Sequence, residues 1–266
     1  MNAIDKYDAR AQAVNSLVCV GLDSDLEKLP DRYRRDPSPQ LAFNRDIIDA
    51  TAEFAAAFKF NMAFYEAEGA DGWRQLAGSI DYLRQRHPDI LTICDAKRAD
   101  ISNTSAAYAR AIFGDLGFDA VTLNPYLGRD ALQPFLDHKH NACIILCRTS
   151  NPGSADIQSL AVGDRRLWQL VAKKVAAEWN TNGNCMMVVS AANPAEMAQI
   201  RAIAVDMTLL APGIGAQGGE VEAVVRAGLN SAGRGLIINS SRSIIFAADP
   251  AAAAAELRDA INACRS

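Results

Sequence analysis

The chain has 266 residues, half of them hydrophobic, and a net charge of −4. This length supports one large hydrophobic core, and the acidic balance argues against a nucleic-acid partner, because no basic surface is available to neutralise a run of phosphates. The start MNAIDKYDAR is charged, and no apolar stretch is long enough to span a membrane, so we expect a soluble, cytoplasmic protein. The six scattered cysteines form no CxxC pair and are expected to be reduced core residues.

Short aliphatic or β-branched runs alternate with longer amphipathic stretches along the chain. Eight runs predict strands, at 17–23, 57–64, 91–98, 120–126, 142–150, 185–191, 208–215 and 235–242. Helical patterns lie around 40–55, 67–86, 103–116, 129–138, 164–181, 194–203, 218–228 and 249–264. Because most of the strand runs are continuously apolar, they indicate a parallel sheet that is covered by helices.

Eight strand–helix units predict an α/β fold, a single-domain (β/α)8 TIM barrel over residues 1–266 with a short N-terminal helix. A doubly wound open sheet is the alternative, and periodicity alone does not exclude it. No Pro/Ser-rich linker divides the chain. In a barrel, polar residues at the carboxyl ends of the strands are the candidates for function.

The segment DAKRAD at 95–100 places several charges at the end of the third predicted strand. Alternation along a strand puts Asp95 and Lys97 on one face, pointing into a largely apolar barrel. Lys59 lies in the neighbouring strand, where a buried ammonium requires a carboxylate partner, and Asp95 and Asp100 are the candidates. Such a cluster would keep its lysines protonated, as a proton donor requires, although a structural ion pair is the alternative interpretation.

The seventh predicted strand runs into the glycine-rich segment PGIGAQGG, which begins at Pro212. Its glycines fit GxGxxG, but that dinucleotide fingerprint belongs in the first βα unit, so we do not expect dinucleotide binding. Loops after strands seven and eight of barrels often bind phosphate, and Arg242 at the end of the eighth strand supplies a cation with forked donors. A glycine-rich turn beside a surface arginine is the alternative.

Three further positions carry weaker signals. Asp23 closes the first strand, where its carboxylate could cap a helix or bind a hydroxyl. Ser150 lies in the turn-forming segment TSNPG after the fifth strand, and it could equally present its hydroxyl to a ligand. His138 and His140 have no acidic or cysteine ligand in register, so we expect no metal site there.

The motifs DAKRADISNT, PGIGAQGG and SSRSI, in that order, resemble the orotidine 5′-phosphate decarboxylase family over nearly the whole chain. The long segments 24–40 and 151–184 resemble its longer bacterial branch, type 2. The resemblance implies a homodimer that decarboxylates orotidine 5′-phosphate to UMP in pyrimidine biosynthesis and uses no cofactor and no metal. The sequence departs from the compact pattern at Asn239-Ser240-Ser241, where a glycine often precedes the arginine, and at Glu220.

The resemblance also implies roles for individual residues. Lys59, Asp95, Lys97 and Asp100 would form the catalytic array around the pyrimidine, and Lys97 would be the proton donor. The implied substrate contacts are Asp23 with Lys59 at the ribose, Ser150 at the pyrimidine, Pro212, Gln217 and Arg242 at the phosphate, and Asp100, Ile101 and Thr104 at the site of the other subunit.

Three other functions stay open at this level. A metal-dependent sugar-phosphate decarboxylase of the keto-gulonate phosphate type shares the DxKxxD motif, but that branch places a metal-binding glutamate where Lys59 stands. A Schiff-base aldolase would need a lysine of lowered pKa, whereas Lys59 and Lys97 are flanked by carboxylates that raise it. A non-catalytic phosphate-ligand-binding barrel would keep the fold without the chemistry.

Overall fold

Eight parallel strands form a closed barrel in the computed structural model, which describes residues 1–214 and 218–265. The strands are β1 (Val18–Leu22), β2 (Ala57–Asn61), β3 (Leu91–Arg98), β4 (Ala120–Leu123), β5 (Ala142–Arg148), β6 (Cys185–Val189), β7 (Leu209–Pro212) and β8 (Leu236–Ser240). Strands adjacent in sequence pair in parallel, and β1 pairs with β8 in the register Val18 to Ile238. The open-sheet alternative is therefore wrong, and the predicted (β/α)8 barrel is confirmed.

Helices follow the strands and surround the barrel. The longer ones are Ala3–Ala13, Pro39–Thr51, Gly69–Arg86, Ser102–Ala109, Arg129–Leu136, Leu167–Lys174, Pro194–Ile203, Gly218–Gly228 and Pro250–Ala263, with π-helical extensions at Arg110–Asp115 and Val175–Trp179. Short helical turns lie at Leu26–Lys28, Asp31–Arg34, Ala63–Glu66, Pro125–Leu127, Pro152–Ser154, Ala155–Gln158 and Arg242–Ile245, and a small antiparallel hairpin pairs Ala161–Val162 with Arg165–Arg166. Among the described residues, no helix is both long enough and apolar enough to cross a bilayer.

The burial of the strands explains why their sequences are apolar without alternation. Every residue of β1, β4, β6 and β8 is buried, because one face packs inside the barrel and the other packs against helices. The helix Gly69–Arg86 attaches through Leu76, Ile80 and Leu83, which recur at helical spacing and are fully buried. Burying each such side chain contributes about 1.5–3 kcal/mol.

The first helix, Ala3–Ala13, covers the amino-terminal end of the barrel. The buried Tyr7 hydroxyl donates to the Leu236 carbonyl at 2.6 Å, at the start of β8. Lys6 Nζ lies 2.7 Å from Asp119 Oδ2, just before β4. The carboxyl ends of the strands, where barrels place their functional residues, lie at the opposite end.

Every predicted strand except that at 91–98 is longer than the observed one. The strand predicted at 57–64 ends at Asn61, because Asn61 Oδ1 accepts a hydrogen bond from the Ala63 N–H at 3.3 Å and a helical turn, Ala63–Glu66, follows. The strand predicted at 208–215 is observed up to Pro212. Its last residue, Gly215, lies outside the described residues.

Candidate active site

Lys59, Asp95 and Lys97 meet at the carboxyl end of β2 and β3. Lys59 Nζ lies 3.0 Å from Asp95 Oδ2, and Lys97 Nζ lies 2.7 Å from Asp95 Oδ1, so each carboxylate oxygen receives one ammonium. The parallel register, which pairs Lys59 with Ile93 and Asn61 with Asp95, brings the neighbouring strands into this arrangement. The expected contact of both lysines with Asp95 is therefore present in the structure.

Burial and charge act in opposite directions on this array. Burial alone would lower the pKa of Lys59, but the charges of Asp95 and then Asp23 raise it above its ordinary value. Burial alone would raise the pKa of Asp95, but the charges of Lys59 and Lys97 hold it well below its ordinary value. Lys59 and Asp95 are therefore both charged at neutral pH, which keeps two opposite fixed charges inside a mostly apolar barrel.

Lys97 has a backbone conformation that few non-glycine residues adopt. Its φ is +50°, and the register of β3 against β4 shifts between Cys94 and Arg98. Thr122 of β4 holds this conformation, because its Oγ1 accepts the Lys97 N–H at 2.9 Å. The same hydroxyl donates to Asp95 Oδ1 at 2.9 Å. Thr122 thus fixes both charged residues of β3, and sequence analysis did not single it out.

Asp23 and Lys59 are also close, as the resemblance implies for a shared ribose site. Asp23 follows β1, and its Oδ1 lies 3.6 Å from Lys59 Nζ. That oxygen is buried and has no hydrogen-bond partner among the described residues. Gly21, two residues before Asp23 in β1, packs closely against the end of β8. A Cβ atom at this position would lie only 2.8 Å from Ser241 Cβ, so there is no room for a side chain.

Asp100 does not join the array within this chain, so its predicted pairing with Lys59 is wrong here. Among the described residues, its carboxylate makes no ion pair, and its Oδ1 accepts the Ile101 N–H at 2.7 Å. The chain turns away after β3 into the helix Ser102–Ala109. Ile101 and Thr104 are exposed beside it.

The predicted phosphate residues lie after β7 and β8. Pro212 ends β7 and is half-buried, and Arg242 begins the helical turn after β8 with an exposed side chain. Gly213 has a φ of +90°, a conformation that explains a glycine at this turn. Gln217 lies outside the described residues. Ser241 Oγ donates to the Gly21 carbonyl at 2.8 Å and so ties the end of β8 to β1.

The remaining candidates are Ser150 and the histidines. Ser150 is exposed two residues after the end of β5, in the loop that was predicted to present it. His138 and His140 lie after the helix Arg129–Leu136, before β5. No group of three or more His, Cys, Asp or Glu side chains in the described part of the chain is arranged to hold a metal ion.

Comparison with known proteins assigns the family. The sequence model of the Orotidine 5′-phosphate decarboxylase / HUMPS family matches residues 16–257. Two curated relatives, both called orotidine 5′-phosphate decarboxylase, are similar over their full lengths. The protein from Janthinobacterium sp. (strain Marseille) is 48% identical over 98% of both chains, and that from Azoarcus sp. (strain BH72) is 47% identical over 100% of both.

A solved structure agrees with these sequence matches. The OMP decarboxylase of Leishmania donovani superposes with a TM-score of 0.90 and 41% sequence identity, covering 100% of this chain and 99% of that one. The fold, the order of the motifs and the relatives therefore give one answer. The chain belongs to the orotidine 5′-phosphate decarboxylase / HUMPS family.

Proposed function

We propose that this protein converts orotidine 5′-phosphate to UMP and CO2, the last step of UMP biosynthesis. The observation that carries the proposal is the Lys59–Asp95–Lys97 array, with both lysines on one carboxylate at the carboxyl end of the barrel. The similarity to full-length curated decarboxylases supports the same reaction. The Lys59–Asp95–Lys97 array and the curated relatives together favour the nucleotide as the substrate.

The reaction needs a proton donor at the carbon that loses CO2. When the bond between ring carbon six and the carboxylate breaks, its electron pair stays on the ring and CO2 leaves. Lys97 Nζ then gives a proton to that carbon, and its half-exposed side chain allows water to return the proton. Lys59 and Asp95 keep the charge balance around it while Lys97 becomes neutral.

Fixed charges lower the activation barrier in this mechanism. A substrate carboxylate about 4 Å from Asp95 would be repelled by about 4 kcal/mol at an effective dielectric near 20, and that repulsion is relieved as CO2 departs. The ammonium of Lys97 stabilises the developing carbanion, which should be the larger contribution. Phosphate binding by Pro212, Gln217 and Arg242, far from the reacting carbon, would hold the substrate against these charges.

The other candidate functions fit the array less well. Mg²⁺ binding beside Asp95 is disfavoured, because the Lys59 ammonium lies 3.0 Å from that carboxylate and repels a cation. A Schiff-base nucleophile requires a neutral amine, whereas the pKa of Lys59 is raised by Asp95 and Asp23. A pure binding protein has no need for a buried charged array of this kind.

We also propose a homodimer in which Asp100, Ile101 and Thr104 complete the site of the other subunit. The absence of an ion pair for Asp100 in the described chain agrees with this role. Large apolar side chains are exposed in the adjacent loops after β3 and β4: Ile101 is 59%, Tyr126 78% and Leu127 50% exposed. Such exposed apolar groups are typical of an interface. The cytoplasmic location stays a prediction from the sequence.

The function is tested by the products. Purified protein should convert orotidine 5′-phosphate to equal amounts of UMP and CO2, and it should leave a keto-gulonate phosphate unchanged. Consumption of the sugar phosphate alone would refute the proposal.

The dimer is tested by mixing inactive subunits. Lys97→Ala and Asp100→Ala proteins, mixed and allowed to exchange, should recover about a quarter of wild-type activity, because half of the dimers then contain one intact site. No recovery despite subunit exchange would place Asp100 in the site of its own chain.

A further inference from the structure

A polar network holds the loop that carries Ser150. Gln158, at the end of the helical turn Ala155–Gln158, contacts Thr149 twice. Its Oε1 accepts the Thr149 N–H at 2.9 Å, and its Nε2 donates to Thr149 Oγ1 at 2.8 Å. The residue directly before Ser150 is therefore fixed through both its backbone and its side chain.

Arg148, the last residue of β5, contacts Gln158 and so helps to hold it against Thr149. Its buried guanidinium donates from Nε to Glu196 Oε2 at 2.7 Å, and from Nη1 to Ser154 Oγ at 2.5 Å and to Gln158 Oε1 at 3.4 Å. Glu196 belongs to the helix Pro194–Ile203, which follows β6. The loop after β5 is thus tied to the next βα unit, and a buried charge that is hydrogen-bonded on several sides restricts its neighbours to one geometry.

Ser150 makes no side-chain hydrogen bond of its own to any described residue. Its neighbours hold it instead, since Thr149 Oγ1 also donates to Asn151 Oδ1 at 2.7 Å. The side chain of Ser150 is exposed and free to bind a ligand, while the backbone on both sides is restrained. Restraint before binding preserves affinity, because no ordering of the loop is then needed when the ligand arrives.

We propose that Gln158 is a positioning residue that sets the affinity for the pyrimidine through Ser150, and that Arg148 holds Gln158 in place. The inference rests on the proposed function and on the role that the family resemblance implies for Ser150, which is contact with the pyrimidine of the nucleotide. It gives the long segment after β5 a role in the site without any substrate contact of its own.

The test compares two ligands that differ by the pyrimidine. UMP and ribose 5-phosphate share the ribosyl phosphate, so a defect at Ser150 weakens the first and spares the second. For Gln158→Ala we expect UMP affinity to fall about tenfold by calorimetry, because the loop that carries Ser150 must then be ordered when UMP binds, with ribose 5-phosphate unchanged within about twofold. Gln158→Glu keeps the acceptor for the Thr149 N–H, so its loss should be smaller.

Gln169→Ala is the matched control, because this glutamine hydrogen-bonds to Arg166 and Gln199 instead. It should leave both affinities unchanged. Equal weakening of UMP and ribose 5-phosphate by Gln158→Ala would overturn the proposal, since that pattern reports general loosening. If Gln158→Ala fails to fold, Gln158→Glu carries the same comparison.

A double-mutant cycle separates a role through Ser150 from an independent one. Gln158→Ala added to Ser150→Ala should weaken UMP binding by less than about twofold beyond Ser150→Ala alone. Effects that multiply, or a Ser150→Ala protein that binds UMP like wild type, would overturn the inference. A wild-type protein that shows the expected binding pattern but no turnover would instead refute the proposed reaction and leave the positioning role intact.

Discussion

The two ends of the barrel both bury a charged side chain, but they satisfy it in different ways. At the amino-terminal end the Arg201 guanidinium donates to five backbone carbonyls, those of Ala204, Val205, Met207, Gly228 and Gly235. Burial lowers the pKa of Arg201 to about 10, which leaves it charged at neutral pH. All three guanidinium nitrogens of Arg201 therefore donate to backbone carbonyls of the surrounding chain.

At the carboxyl end, the charges are paired, but some buried acceptor oxygens have no hydrogen-bond donor. Lys59 and Asp95 neutralise one another, whereas Asp23 Oδ1 and Asn239 Oδ1 are buried without a hydrogen-bond partner among the described residues. A buried acceptor without a donor costs stability unless a ligand supplies the donor. Asn184 Oδ1, just before β6 at the amino-terminal end, is also buried without a partner among the described residues, so the contrast lies in the charged groups. Arg201 is satisfied by the chain itself, whereas Asp23 keeps an acceptor that a ligand can use, as expected for the end of a barrel that carries the chemistry.

The largest effect is expected from removing the proton donor. Lys97→Ala should lower kcat by about 10⁴-fold or more, because both proton transfer and electrostatic stabilisation are lost. Its thermal midpoint should change little, because the Lys97 side chain is half-exposed. Steady-state kinetics and a melting curve check both expectations.

Lys174→Ala is the control for that variant, because Lys174 is similarly exposed and pairs with Glu178 on the outer surface. Near-normal kcat in the Lys97→Ala protein would remove Lys97 from its assigned role.

At the opposite end, Arg201→Met should affect stability and spare activity. The substitution leaves five carbonyls without their donor and should lower the free energy of unfolding by about 3 kcal/mol or more. Denaturant unfolding measures the loss. At a temperature where the variant is folded, KM and kcat should match wild type. A changed KM with normal stability would contradict the division between the two ends.

A smaller effect is expected at Thr122, which would act on the substrate only through Asp95 and Lys97. Thr122→Val keeps the shape but removes the bond to Asp95 and the acceptor of the Lys97 N–H. We expect kcat to fall about tenfold with KM nearly unchanged, and Thr122→Ser to restore most of it. Equal kinetics for the valine and serine variants would show that the hydroxyl has no positioning role.

The smallest effect is a difference in acid sensitivity. The pKa of Asp95 in the folded chain is held below its ordinary value. Below about pH 4, Asp95 therefore binds a proton in the unfolded chain but stays ionised in the folded chain. Stability from this group is present above that pH and is lost as the pH falls. Asp95→Asn should flatten the acid limb of stability against pH, whereas Arg201→Met should keep the wild-type slope. Parallel acid limbs for wild type and Asp95→Asn would contradict this.

Much of the fold could be predicted because the strands are buried on both faces. Continuous apolar runs give eight strand positions, and each overlaps an observed barrel strand. Closure could not be predicted from periodicity, since it depends on the pairing of β1 with β8. That the whole chain forms a single domain stays a prediction.

The site was predictable only where a local pattern encodes it. Alternation in β3 predicts that Asp95 and Lys97 share a face, and the buried ammonium of Lys59 requires a carboxylate nearby, which Asp95 supplies. Thr122 was missed because threonine is common in strands, and its role depends on the register shift in β3. The pairing of Asp100 with Lys59 within one chain was wrong because it depends on where the chain turns after β3, whereas the role of Asp100 in the site of the other subunit stays a prediction.

The measurement that tests the account most directly is the fall in ultraviolet absorbance of orotidine 5′-phosphate with purified protein in the presence of excess EDTA. The account predicts loss of the substrate signal at the same rate with and without the chelator, because Lys59, Asp95 and Lys97 supply the charges that the reaction needs. Turnover that stops when EDTA is added, or folded protein that leaves the substrate unchanged, would contradict it.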